Sequence, residues 1–323
     1  MNKIWKGALA GALCSIGAFS SPAMAQNAYP DRPITIIVPF AAGGTSDILS
    51  RLFGQKLTEI LGQDVIVDNR PGAASTLGTD ILARSEPDGY TIQVISAIAH
   101  NTSAIMTPDV QYDPVESFTA IGGIGWAPYL LIANPDFGAD YAEVIAKLKA
   151  DPGKYDYASS GLGSAPHLVM EVFEREAGVE LEHIPYGGGA PALNDVVAGT
   201  VPLIFENVAA IELLRAGQVR GLVITGQERS PLFPDVPTFT EVGLPSFDIT
   251  APWGVIGPAG IPDDVVAVLE GALEQAVADP EFVKVLNDYS ITAEASTSEE
   301  FGAKIAEQAA LWREVIEAAG LLP

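Results

Sequence analysis

The chain has 323 residues, a formal net charge of −24 and 48% hydrophobic residues. This length supports a large buried core and predicts two domains rather than one. The strong negative charge makes nucleic acid and anionic membranes poor partners. Cys14 is the only cysteine and lies in the leader, so the chain beyond it has no disulfide and no cysteine metal site.

The leader has the three parts of a secretory signal peptide. Lys3 and Lys6 form a basic start, Ala8 to Phe19 is an apolar run, and Pro22 to Ala25 supplies the small residues of a cleavage site. We therefore predict a cleaved signal peptide over residues 1–25 and a periplasmic mature protein. No later apolar run reaches the roughly 18–20 residues that span a bilayer, so we expect no direct membrane insertion.

The first predicted strand, Ile34 to Val38, runs into Gly43, Gly44 and Thr45, and an amphipathic helix follows over about residues 48–61. A strand, a glycine turn and a capped helix aim backbone N–H groups and the positive end of the helix dipole at one point. This predicts an anion site without a basic side chain, suited to a carboxylate or a phosphate. The alternative is a plain tight turn. The segment is not a phosphate loop of the P-loop type, because no Gly-Lys-Ser/Thr follows the glycines.

The pattern strand–helix–strand–helix–strand continues to about residue 100, which predicts a parallel α/β arrangement. In such sheets, ligands bind beyond the carboxyl ends of the strands. Small and hydroxyl residues follow the second and third predicted strands there: Ala73, Ala74, Ser75, Thr76 and Ser96.

The same pattern restarts near residue 130 and runs to about residue 225. Polar residues again follow its predicted strands: Ser159, Ser160, Ser164, His167 and Asn207. We expect one of the three serine hydroxyls to cap the helix that begins near residue 165. Two α/β lobes, each with donors at its strand ends, imply a cleft between them.

The division predicted from this repeat places residues 26–127 and 248–323 in lobe 1 and residues 128–247 in lobe 2. Residues 226–262 are rich in proline and lack periodicity, so we expect a return crossing over the surface. The helical segments near residues 262–278 and 298–319 are expected to pack back onto lobe 1.

Ordered motifs along nearly the whole chain resemble one family. They are Tyr29–Ile34, Val38–Gly44 with Asp47, Asp68–Ala73, Pro87–Tyr90, Tyr112–Pro114, Tyr157–Gly161 with His167, Pro185–Tyr186 and Pro237–Thr238. The chain resembles the Bug family, the solute-binding subunits of tripartite tricarboxylate transporters. The resemblance implies a two-lobed α/β periplasmic-binding-protein (Venus flytrap) fold, type II-like, with mostly parallel sheets and a ligand cleft between the lobes. It also implies a small carboxylate ligand and membrane permease partners. We further expect no cofactor and a monomer.

The resemblance implies that backbone N–H groups of Gly43–Thr45 and Ala73–Thr76 hold a ligand carboxylate, while Ser159, Ser160, Ser164, His167 and Asn207 close over it. Phe40 is the best candidate for a cleft wall, and Ser96 completes the predicted binding set. Citrate-like acids, dicarboxylates, amino acids and aromatic acids such as terephthalate all fit the class. The hydroxyls of this chain together with Phe40 favour a dicarboxylate, including an aromatic one.

Simpler roles compete for several of these residues. Asp47 is better read as a cap or loop brace than as a ligand contact, since a carboxylate would repel the anion. Arg70 is expected to pair with Asp68, or to bond the ligand. His167 makes either a structural hydrogen bond or a ligand contact.

Two other functions use the same residues. A secreted serine hydrolase could recruit Ser160, His167 and Asp195 as a triad, but the sequence has no Gly-x-Ser-x-Gly elbow and no metal-ligand spacing such as His-Glu-x-x-His. We therefore expect that this protein is not an enzyme. A periplasmic sensor that reports to a signalling receptor would use the same cleft as a transport receptor.

Overall fold

The computed structural model describes residues 29–247, 249–318 and 320–322, so the predicted signal peptide lies outside the described residues. A short 3-10 turn, Ala73–Ser75, directly precedes the helix that begins at Thr76. The first part of the chain forms β1 (Ile34–Val38), α1 (Thr45–Leu61), β2 (Val65–Asn69), α2 (Thr76–Ala83), β3 (Thr91–Ser96), α3 (Ala97–Met106) and β4 (Phe118–Pro128).

The predicted helix after the glycine pair is confirmed as α1, and it begins three residues earlier than the periodicity indicates. Its apolar positions Leu49, Phe53 and Leu57 are buried against the first sheet. Gly62 ends the helix with φ 68°, a left-handed conformation that glycine adopts without steric cost.

The middle of the chain forms a second sheet with its own helices. In the described residues its strand order is β7-β6-β8-β5-β9. The elements are β5 (Leu130–Ala133), α4 (Tyr141–Ala150), β6 (Asp156–Ser159), α5 (Ala165–Ala177), β7 (Glu182–Pro185), α6 (Gly189–Val197), β8 (Leu203–Glu206), α7 (Ile211–Arg215) and β9 (Arg220–Ile224).

The last part of the chain returns to the first sheet, whose described strands have the order β11-β4-β10-β3-β1-β2. Helix α8 packs against α1 and β4, and α10 packs against α3 and β4, so the predicted return of the C-terminal helices is confirmed. The elements are β10 (Thr250–Pro258), α8 (Asp263–Ala278), α9 (Pro280–Asp288), β11 (Thr292–Ser296) and α10 (Ser298–Ala318).

Both sheets are mixed, and the expectation of mostly parallel sheets was wrong. Among the described residues only the pairs β1–β2, β1–β3, β6–β7 and β6–β8 are parallel. Strand β10 runs against both β3 and β4, and β5 runs against both β8 and β9. One reversed strand inserted among co-directed strands makes both of its pairings antiparallel. In the first sheet β11 adds a third antiparallel pairing, with β4.

The expectation that residues 226–262 only cross the surface was also wrong. Strand β10 lies inside the first sheet, and Trp253, Val255 and Ile256 are buried there. Proline and glycine break the alternation that would mark a strand, so the strand depends on pairing with β3 and β4. A Cβ on Gly254 would lie 2.4 Å from Cζ of Phe301, which explains the glycine at that position.

The chain crosses between the two sheets twice. The first crossing is the single residue Tyr129 between β4 and β5, and the second is the segment from Thr225 to the start of β10. The lobe boundaries predicted at residues 127/128 and 247/248 stay a prediction.

Candidate functional site

A cavity of about 40 Å³ lies between the two sheets, where the loops of both meet. Six of its lining residues belong to the predicted binding set: Phe40, Gly44, Thr45, Ser96, Ser160 and Asn207. The others are Ser46, Ala99, Tyr129, Ala165, Pro166, Gly189, Glu206 and Trp253. Both sheets and the first crossing therefore contribute to one site, as the predicted cleft requires.

Four helices begin at this cavity. Helices α1 and α3 approach it from the first sheet and α5 and α6 from the second, and each places a residue of its first turn on the lining. Helix N-termini carry partial positive charge. Within the described residues, no protein acceptor bonds the N–H groups of Gly44, Thr45 and Ser46. The arrangement can hold an anion through the main chain alone.

Asp47 braces the turn in front of α1. Its Oδ2 accepts hydrogen bonds from the Gly43 N–H (2.9 Å) and Arg51 Nε (3.0 Å), and its Oδ1 accepts one from Asn69 Nδ2 (3.0 Å). Burial alone would raise the pKa of Asp47, but these hydrogen bonds and the Arg51 charge lower it. The interpretation of Asp47 as a loop brace is confirmed. The Gly43 N–H is therefore occupied by the protein itself.

Thr45 joins the two sides of the cleft. Its Oγ1 lies 2.8 Å from Asn207 Oδ1 and 3.1 Å from Glu206 Oε1, and it accepts a hydrogen bond from the Ala209 N–H at 3.0 Å. A hydroxyl has one proton, so it donates to one of the two oxygens at a time. The first turn of α1 and the loop after β8 are thus in direct contact.

Glu206 is a buried carboxyl group on the cavity wall, with only 4% of its surface exposed. Burial raises its pKa, although the Asn207 N–H and the Thr45 hydroxyl favour the ionised form. Its Oε2 lies beside the start of α6, where a Cβ on Gly189 would be only 2.5 Å away. A side chain at Gly189 would therefore displace the carboxyl group.

Three aromatic residues form the remaining wall. Trp253 and Tyr129 are buried, while Phe40 is half-buried. Nε1 of Trp253 has no hydrogen-bond partner among the described residues. A buried N–H without a partner is costly, and this nitrogen is itself buried rather than exposed on the cavity surface.

A second cavity, of about 390 Å³, lies on the other side of Phe40 and Ser160, which line both cavities. The predicted residues Ala73, Ala74 and Ser75 line this second cavity and not the first. Their φ values are 45°, 53° and 80°, so three residues other than glycine adopt the left-handed region in succession. Thr76 is turned away into a hydrogen bond from its hydroxyl to the Ala73 carbonyl (2.7 Å).

Two other predicted residues of the second sheet, Ser159 and Ser164, are not among the lining residues of either cavity. Ser159 is fully buried, and its hydroxyl lies 2.6 Å from Nε2 of His183. Ser164 occupies the N-cap of α5 by its backbone, but within the described residues its hydroxyl has no partner. The expectation that a serine hydroxyl caps this helix was therefore wrong.

His167 makes a structural hydrogen bond. Its Nδ1 accepts from the Gly163 N–H at 3.1 Å, and its ring stacks on His183 with centroids 4.1 Å apart. Burial, with a smaller effect from His183, lowers the pKa of His167 to about 3. The ring is neutral at physiological pH and lies outside the lining of both cavities.

The triad considered for a hydrolase is not assembled. His167 is held by Gly163, and Asp195 accepts a hydrogen bond from the Tyr186 hydroxyl at 2.6 Å. Among the described residues no group of three or more His, Cys, Asp and Glu side chains could hold a metal ion. In the same residues, no helix combines the length and apolar character needed to cross a membrane.

Sequence reasoning placed Arg70 correctly and missed Glu206 and Gly189. Arg70 Nε lies 2.9 Å from Asp68 Oδ2, as the simpler reading expected. An acidic residue at the end of the apolar strand β8 is the signal that could have found Glu206. The glycine run that ends at Gly189, just before a helix, is the same signal that identified Gly44.

The chain is similar to several known proteins. The family model described as tripartite tricarboxylate transporter family receptor matches residues 49–321. The solved periplasmic binding protein BugD is 33% identical with a TM-score of 0.86, and the match covers 91% of this chain and 99% of BugD. These likenesses confirm the predicted two-lobed periplasmic-binding-protein fold.

Two further solved structures contain carboxylates. MatC from Rhodopseudomonas palustris with bound malate is 30% identical with a TM-score of 0.84, and the match covers 89% of this chain and all of MatC (100%). An R. palustris protein with adipate is 31% identical with a TM-score of 0.87, over 90% of this chain and 98% of that protein. The chain therefore belongs to the tripartite tricarboxylate transporter receptors, the Bug family of solute-binding proteins.

Proposed function

We propose that this protein captures a small carboxylate in the periplasm and delivers it to the permease subunits of a tripartite transporter. The observation that supports this best is the convergence of four helix N-termini on a cavity between the lobes. The N–H groups of Gly44, Thr45 and Ser46 there have no acceptor within the part of the chain that the structure describes. The relatives with malate and adipate support the same ligand class. The predicted signal peptide supports export.

The sizes of the two cavities suggest which part of the ligand each cavity holds. A cavity of about 40 Å³ has room for roughly three water-sized atoms, which is the size of a carboxylate group. The neighbouring cavity of about 390 Å³ takes the rest of the molecule past Phe40 and Ser160. A dicarboxylate, including an aromatic one such as terephthalate, would place its second carboxylate near Ala73–Ser75.

The energetics require both lobes. One helix N-terminus contributes about 0.3–1 kcal/mol near a surface, whereas a micromolar complex needs about 8 kcal/mol. Several helix ends, main-chain donors and hydroxyls must therefore act together in a site that excludes water. The ligand first binds the α1 loop and then favours closure by adding contacts to Ser160 and Asn207. The permease recognises the closed form.

The proposal is tested by a carboxylate panel and two variants of one residue. A ligand at about 100 times its dissociation constant raises stability by about 2.7 kcal/mol, so thermal shift identifies the acid that binds. Gly44→Asp places a negative charge in the site and should weaken binding of that acid at least about a hundredfold.

Gly44→Ala is the matched control. Gly44 has an extended backbone with φ −80°, and an added Cβ would meet its nearest atoms at 3.6–3.9 Å. The alanine variant should therefore fold and bind nearly as the parent does. A thermal shift with a sugar or a cation and with no acid contradicts the proposed function. Unchanged affinity in Gly44→Asp would move the site elsewhere.

A further inference from the structure

The carboxyl group of Glu206 faces the same small cavity that the main-chain donors of α1 face. Its Oε1 accepts hydrogen bonds from the Thr45 hydroxyl (3.1 Å) and the Asn207 N–H (3.0 Å). In the described part of the chain these are its only hydrogen-bond partners, and no cationic side chain pairs with it. Oε2 is therefore an acceptor that remains available on the cavity wall.

Oε2 lies where two helices meet. An added Cβ on Gly189 would be 2.5 Å from Oε2 and 3.9 Å from the Cα of Gly44. The carboxylate of a ligand on the α1 donors would therefore have Glu206 as its immediate neighbour. Two carboxyl groups this close repel each other unless a proton or a donor lies between them.

The cavity wall carries both hydrogen-bond donors and a hydrogen-bond acceptor. The N–H groups of Gly44 to Ser46 can only donate, while Glu206 Oε2 can accept. A guest that satisfies both sides carries acceptors on one side and a donor within one or two bonds of them. An unsubstituted carboxylate leaves Oε2 of an ionised Glu206 buried without a partner, which is costly.

We propose that Glu206 determines the ligand class by accepting a hydrogen bond from a hydroxyl or ammonium group on the carbon next to the bound carboxylate. The site then prefers 2-hydroxy or 2-amino acids over the corresponding unsubstituted acids. This inference rests on the proposed function, because it needs a carboxylate at the start of α1.

Matched acids on shared skeletons test the preference by isothermal titration calorimetry. Succinate, malate and aspartate differ only in the substituent, and phenylacetate with mandelate and adipate with 2-hydroxyadipate extend the comparison to aromatic and longer acids. The substituted acid should bind about tenfold tighter or more on the skeleton that fits. Malate against aspartate shows whether the donor is a hydroxyl or an ammonium.

Glu206→Gln supplies the second half of the test. The amide keeps the shape and an oxygen for Thr45 and the Asn207 N–H, but it presents a donor in place of Oε2. The variant should lose the preference for the substituted acid while still binding the unsubstituted one. If the amide variant fails to fold, Glu206→Asp replaces it in the test. This variant withdraws the carboxyl group by one methylene and should also reduce the preference for the substituted acid.

The outcomes separate this inference from the proposed function. Equal binding of substituted and unsubstituted acids to the parent protein overturns the role of Glu206 and leaves carboxylate capture intact. A preference that survives Glu206→Gln also overturns it. Failure of every carboxylate to bind contradicts the proposed function, and the inference fails with it.

Discussion

Tyr129 and Thr225 exchange two hydrogen bonds at the point where the chain crosses between the lobes. The Thr225 N–H donates to the Tyr129 carbonyl at 2.8 Å, and the Tyr129 N–H donates to the Thr225 hydroxyl oxygen at 2.8 Å. Both residues are at least 98% buried, with 2% and 1% of their surface exposed. The two crossings are thus tied side by side, and a closing motion must bend them together.

Removing the hydroxyl from this pair should destabilise the protein. Thr225→Val keeps the size of the side chain but leaves the buried Tyr129 N–H without an acceptor, which costs about 1–3 kcal/mol. Urea unfolding followed by circular dichroism measures the loss. Thr225→Ser retains the hydroxyl and should lose less. Equal stability of the valine variant and the parent would show that another acceptor reaches the Tyr129 N–H.

The hydroxyl of Thr45 is expected to hold the lobes together before a ligand arrives. Thr45→Val removes the contacts to Asn207, Glu206 and the Ala209 N–H and should shift the ligand-free protein toward an open form. Small-angle X-ray scattering should report a larger radius of gyration, and ligand affinity should fall about fivefold to tenfold, the equivalent of one hydrogen bond. Thr45→Ser serves as the control. An unchanged radius of gyration would mean that other contacts keep the cleft closed.

The parts of the site that the sequence predicted are those built from neighbouring residues. A strand, Gly43-Gly44 and an amphipathic helix determine the direction of their own N–H groups, so the start of α1 could be identified without tertiary information. The same holds for Ser96, which accepts a hydrogen bond from the Ala99 N–H at the start of α3 (3.5 Å).

The parts that sequence reasoning missed depend on partners far away in the chain. Strand β10 carries two prolines and two glycines among its nine residues, and only its pairing with β3 and β4 makes it a strand. Trp253 enters the site through that strand. Glu206 is the last residue of a short strand, and nothing in the neighbouring sequence shows that α1 lies against it.

The same limit applies to the two predicted loops of the first sheet. The family resemblance assigned both to one ligand carboxylate, and in the structure Gly44 lines one cavity while Ala73–Ser75 line its neighbour. Phe40 and Ser160 stand between the two cavities. The position of a side chain from the other lobe cannot be read from the spacing of either loop.

Neutralising Asp47 should weaken the loop in front of α1. Asp47→Asn loses the ion pair with Arg51, whose NH2 nitrogen lies 2.8 Å from Oδ1, and the acceptor that serves both Arg51 and the Gly43 N–H. Hydrogen bonds to a charged group are worth about 1.5–3 kcal/mol each, and part of this is lost here because Arg51 is half exposed. We expect the variant to lose about 1–2 kcal/mol at pH 7.

The pH dependence of that difference identifies its origin. The pKa of Asp47 is lowered in the folded protein, so its contribution is present above the unfolded pKa of about 3.9 and disappears as the pH falls through the folded value. Urea unfolding of parent and Asp47→Asn at pH 7 and near pH 3 should therefore give a difference that shrinks in acid. A constant difference would assign the effect to packing rather than to charge.

Burial of His100 should make the protein sensitive to mild acid. The ring is 5% exposed and packs edge-on against Phe118, and its Nε2 lies 2.7 Å from the Pro114 carbonyl. Burial lowers the pKa of His100 to about 4. Its folded pKa is thus below the unfolded value of about 6.5, so the stability present above that pH is lost as the pH falls toward 4.

Replacing His100 with a residue that does not titrate separates its effect on pH-dependent stability from the effects of the other two histidines. Burial also lowers the pKa of His167 to about 3 and of His183 to about 4, so they add slopes of the same sign. A shift from 6.5 to about 4 corresponds to at most about 3 kcal/mol. His100→Gln can keep a donor for the Pro114 carbonyl but does not titrate, so its unfolding free energy should fall less than that of the parent between pH 6.5 and 4. Urea unfolding at half-unit pH steps measures both slopes, and equal slopes would show that His100 is protonated in the folded protein without cost.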